Sequence, residues 1–147
     1  MSVRFRYFYR WSHEGLDKYG NPPSLLTARN INDLPVGETH PFYILSGALS
    51  DFPAHHPEHF EGVLQQIDRL ERGEVQAVEW EGQGFWHRIS PTQVTFEHAI
   101  FGECPEWPIW SCTLAQYKAA LQGWKQFLQL PKSIDSELIV ELPDTAP

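Results

Sequence analysis

The sequence predicts an α+β fold: a mostly antiparallel sheet of five to six strands with two main helices packed on one face. Three observations carry this expectation. Several short segments alternate apolar and polar residues with period two, the strand signature. Two longer segments repeat apolar residues at helical spacing. The strand-like segments between residues 75 and 101 are joined by turns too short for a crossover, which makes neighbours antiparallel. The 147 residues suit one domain, 1–147, with 12–39 as a long loop and 143–147 as a loose tail.

Val3, Phe5, Tyr7, Tyr9 and Trp11 alternate with Arg4, Arg6, Phe8 and Arg10, so the first strand has an apolar face and an arginine face. Arginine stems cover apolar surface while their heads stay wet, which makes a solvated strand face the simple reading. Turn chemistry follows at Gly15, Gly20, Asn21, Pro22 and Pro23. This predicts the 12–39 loop, with one short helical turn around 24–30. The run 42–46 reads as a second strand. Phe60, Val63, Leu64, Ile67 and Leu70 form an apolar stripe, predicting a helix over 57–72 with Pro57 at its first position and Gly73 as its stop. Strands are predicted at 75–81, 85–89 and 94–101, with a short fourth at 109–112. Thr113 and Gln116 form a capping box that opens a second helix. Leu114, Tyr117, Leu121, Trp124 and Leu128 are its core stripe. A last strand covers 137–142.

Hydrophobic residues make up 41% of the chain, enough to build a core, and aromatics reach 14%, leaving rings for a binding surface. The formal net charge of −8 opposes binding to nucleic acid or to an anionic membrane and favours a basic partner. The first residues, MSVRFRYFYRW, carry three arginines and no apolar run, so no signal peptide is expected. No segment approaches the ~20 apolar residues of a membrane span. The expected location is the cytoplasm.

The densest chemical cluster is PAHHPEHFEG, with His55, His56 and His59. A residue before proline avoids the α region, so Pro57 places His55 and His56 outside the helix and His59 in its first turn. HExxH is absent, and no metal site is assigned. His87 and His98 lie on the apolar faces of predicted strands and read as partly buried, hydrogen-bonded histidines. Cys104 and Cys112 lack CxxC spacing and any nucleophile signature, so they read as free thiols, and no catalytic residue or cofactor is assigned. What remains is a surface. Glu79, Glu81, Trp86 and Glu97 share one sheet face with Arg88 and Thr95, and the following loop adds Glu103, Glu106 and Trp107. Rings among carboxylates suit a basic protein partner; for Trp86 and Trp107, packing against the second helix is the alternative.

Two or three short strands, VQAVEWEG, FWHRI and QVTFEHAIFG, lead through a further strand to the amphipathic helix TLAQYKAALQGWKQFL. This outline resembles small bacterial immunity proteins that neutralise contact-dependent growth-inhibition and other polymorphic toxins, including their Leu…Trp…Phe-Leu helix pattern at Leu121, Trp124, Phe127 and Leu128. The resemblance implies a cytosolic, non-catalytic inhibitor of a cognate toxin. A nuclease toxin with a basic cleft would meet acidic side chains in place of phosphates. Two other readings stay open: a small metal-dependent enzyme using the histidine cluster, and a structural or phage-derived accessory protein.

Overall fold

The computed structural model describes residues 3–34, 40–51 and 57–143. Its elements run β1 (Val3–Trp11), β2 (Leu25–Ile31), α1 (Tyr43–Asp51), α2 (Pro57–Glu71), β3 (Val78–Glu81), β4 (Phe85–Ile89), β5 (Gln93–His98), β6 (Trp110–Thr113), α3 (Leu114–Leu128) and β7 (Glu137–Leu142). The α+β class and the antiparallel pairing are as expected. The single sheet is not. The described strands form two sheets, ordered β2-β1-β7 and β3-β4-β5-β6. The described helices number three rather than two.

The split follows from α3. Its buried residues, among them Leu114, Tyr117, Ala120, Leu121, Trp124 and Phe127, wrap too far around the helix to serve one layer. Trp124 and Phe127 stack on Tyr7 of the first sheet, at 5.6 and 6.0 Å between ring centroids. Tyr117, two turns earlier, meets Phe96 and His87 of the second sheet at 5.9 and 6.0 Å. One helix therefore supplies the core for both sheets, and the buried apolar residues form one continuous cluster. The capping box is present as the sequence predicts: the Thr113 hydroxyl accepts from the Gln116 amide, and the Gln116 side chain accepts from the Thr113 amide. At Gly123 the helix comes so close to β7 that a Cβ there would overlap the Val140 side chain.

Two segments correct the sequence reading. The 12–39 loop contains a strand, β2, where a helical turn was expected. It pairs with β1 from Trp11↔Leu25 to Phe5↔Ile31. The connection is a long hairpin pinned at its base, with the Ser12 amide donating to the Ser24 carbonyl and the Ser24 amide to the Ser12 hydroxyl. Within it, the Asp17 carboxylate accepts from the Tyr19 and Asn21 amides, and these hydrogen bonds hold it below its ordinary value. The expected strand at 42–46 is the start of α1. Ile44, Leu45, Ala48 and Leu49 are buried at helical spacing, and the pattern runs through Gly47. His40 caps this start, its Nδ1 accepting from the Phe42 amide.

The arginine face of β1 is solvated, and two of its three arginines are held in ion pairs. Arg4 pairs with Asp33 and Arg6 with Glu137, both exposed enough to contribute little stability. Trp11 is 51% exposed, so the apolar face of this strand ends before it. The third strand of the 75–101 region also stops short: β5 ends at His98, which leaves Ile100 and Phe101 in a loop.

Candidate functional site

The outer face of the second sheet gathers four of the predicted partner-binding residues. Register places Glu81 opposite Trp86 and Trp86 opposite Glu97, giving one row across three strands. The next row is Glu79, Arg88, Thr95 and Ser111. Period-two parity brings these side chains to one face. Arg88 then ties the rows together. Its Nη1 donates to Glu97 at 2.7 Å, its Nε donates to Glu79 at 3.2 Å, and its guanidinium lies 5.5 Å from the Trp86 ring centre. The hydrogen bond to Glu97, with the charges of Glu97 and Glu79, holds Arg88 above its ordinary value. Glu81 is exposed and outside this cluster. A shallow groove of about 240 Å³ runs beside Glu79, Arg88 and Thr95.

Glu103, Glu106 and Trp107 do not join this face. Trp107 is half-buried beyond the inner end of the sheet, against Phe85 at 5.6 Å, His98 at 5.2 Å and Tyr43 of α1 at 5.9 Å. Its packing partner is thus α1 and the strand ends, not the C-terminal helix. Glu103 and Glu106 are exposed on the same loop. The seven residues therefore belong to two surfaces.

The histidines separate. His55 and His56 lie outside the described residues. His59 is half-buried in the first turn of α2. Among the described residues, no three His, Cys, Asp or Glu side chains stand together as a metal-holding group. His87 is fully buried, and its Nδ1 lies 3.1 Å from the Tyr117 hydroxyl. Burial pulls its pKa down to about 3, so the ring is neutral in the fold. His98 shares the inner face with His87 but lies at the strand end, against Phe85 and Trp107. Its Nδ1 accepts from the Ile100 amide at 3.2 Å and the Phe101 amide at 3.1 Å, and its ring stacks on Phe101 at 5.0 Å. Burial pushes the Cys112 thiol up to about 12, far from the thiolate a nucleophile needs.

Two features were missed in the sequence. The first is Arg29, on the inner face of β2 opposite Tyr7. Its Nε donates to the Ser46 hydroxyl at 3.2 Å and its Nη2 to the Ser50 hydroxyl, and the guanidinium lies 4.5 Å from the Trp124 ring centre. Its Nη1 is enclosed and makes no hydrogen bond among the described residues. Burial pulls its pKa down to about 10, which still leaves it charged at neutral pH. The signal was present: Leu25, Thr27, Arg29 and Ile31 alternate, once 25–31 is read as a strand. The second is Asp51, whose Oδ2 accepts from the Gly84 and Phe85 amides at 2.8 and 3.1 Å and clamps the β3–β4 turn onto α1. Periodicity within one element carries no signal for that contact.

No helix is long and apolar enough to cross a membrane among the described residues. No family model matches this chain, and comparison with curated proteins and with solved structures gives no match either.

Proposed function

We propose that this chain is a non-catalytic, cytoplasmic immunity protein that binds and neutralises a cognate bacterial toxin with a basic surface. The observation that carries this reading is the row Glu81, Trp86, Glu97 on an open sheet face in a chain of net charge −8. A ring supplies area to bury, and carboxylates on either side supply steering and pairing. If the toxin is a nuclease, such a face occupies its cleft in the manner of phosphates. The chemically versatile groups point the same way. His87, Tyr117 and Cys112 are buried in the core, which supports a reading by surface contact.

The test is co-expression with a toxin domain encoded beside its gene. Protection of the host cell is expected. Binding of the purified pair should weaken as salt rises, since exposed charges more than about 8–10 Å apart are screened at physiological ionic strength. Full toxicity in the presence of the folded chain rules the reading out for that toxin. Stoichiometric zinc, manganese, nickel or iron in untagged protein would favour a histidine-cluster enzyme instead.

A further inference from the structure

The loop 99–109 sets exposed apolar side chains beside exposed carboxylates. Ile100 is 72% exposed and Phe101 67%, side by side, and Ile109 on the returning leg is 44% exposed. Large apolar side chains displayed together in this way mark contact sites. The same loop carries Glu103 and Glu106, and neither is in an ion pair among the described residues. On the sheet face, by contrast, Arg88 pairs with both Glu79 and Glu97.

The loop is also fixed in place. His98 gathers the Ile100 and Phe101 amides onto its Nδ1. The Gly102 amide donates to the His98 carbonyl at 2.9 Å, with Gly102 at φ 61°. Cys104 and Trp107 bridge backbone to backbone, and the Tyr43 hydroxyl donates to the Glu106 carbonyl at 2.6 Å. A loop already held in shape loses little conformational freedom on binding.

We propose that this loop anchors the partner interface: Ile100 and Phe101 enter an apolar pocket of a protein whose rim of lysines or arginines meets Glu103 and Glu106. This deepens the toxin-binding reading and rests on it for the partner's identity. The carboxylates select a protein over the alternatives, because they repel both nucleic-acid phosphates and anionic headgroups.

The test uses the full chain and, as probe, an amphipathic helical peptide of leucine and lysine, followed by fluorescence anisotropy. The wild type is expected to bind it. Ile100→Ser with Phe101→Ser should weaken binding by about tenfold or more, the scale of losing a central anchor. Glu103→Gln with Glu106→Gln should weaken it and flatten its salt dependence. Leu16→Ser with Tyr19→Ser, on the β1–β2 connection and as exposed as the loop residues, should leave it within about twofold, since interface energy concentrates in a few anchors. All the loop side chains substituted are exposed, and unchanged circular dichroism confirms an intact fold. A wild type that ignores the peptide, or loop variants that bind it equally well, overturns the proposal. Peptide binding at the loop without toxin protection sinks the neutralising function and leaves the docking surface standing. Protection that survives the loop substitutions does the reverse.

Discussion

Trp124→Ala is expected to cost about 3–5 kcal/mol, the range for removing a fully buried large aromatic. Trp124 is 1% exposed and stacks on both Tyr7 and Phe127, at 5.6 and 5.9 Å. It is also the surface under Arg29. Truncation opens a cavity where α3 meets the first sheet and strips the half-buried Arg29 guanidinium of its ring partner. Typical domains have only about 5–15 kcal/mol in hand, so this variant stands near the edge of folding. Urea unfolding would show a markedly lower midpoint, and Trp124→Phe should recover part of the loss. A change below about 1 kcal/mol would mean that α3 does not hold the first sheet as described.

Mild acid is expected to destabilise the protein before its carboxylates titrate. His87 has a folded pKa of about 3, pulled down by burial. In the unfolded chain it takes up its proton near the ordinary histidine value of about 6.5. Because the folded value is the lower one, His87's contribution is complete above pH ~6.5 and is lost progressively as pH falls toward 3. The slope approaches about 1.4 kcal/mol per pH unit, so the loss reaches roughly 2 kcal/mol at pH 5. His40, also held low by burial, adds in the same direction. His87→Gln removes the larger contribution. Its stability, measured by urea unfolding at pH 7.5 and 5, should change much less than that of the wild type. Parallel pH profiles would show that His87 is not buried neutral.

Much of this arrangement was legible in the sequence, and the limits are physical. The alternation of Val3, Phe5, Tyr7 and Tyr9 predicts β1, and Thr113 with Gln116 predicts the entry of α3. Parity alone places Glu79, Glu81, Trp86 and Glu97 on one face, because strands joined by tight turns keep register. The β2 strand was hidden by the turn residues before it and by an arginine in an apolar position. The α1 helix was hidden because Phe42, Tyr43 and Ile44 favour strands, while the burial pattern that decides the matter becomes visible only over two turns. The division into two sheets depends on which non-consecutive strands pair, and local periodicity holds no such information. Local spacing leaves Trp107 open between a partner surface and core packing, because its position depends on α1, an element that strand and turn patterns do not reveal.

Sheet order also sets the kinetics of folding. The meander β3-β4-β5-β6 pairs only sequential neighbours across short connections. The first sheet instead requires β1 to find β7, and the contact between Arg6 and Glu137 spans 131 residues. Closing so long a segment costs chain entropy before its contacts return any stability, so this pairing comes late. Pulse-labelled hydrogen exchange should protect amides of β4 and β5 before those of β1, and simultaneous protection would refute that order. The face and loop assigned to the partner thus belong to the fast-folding half of the molecule, formed while the two most distant strands are still searching for each other.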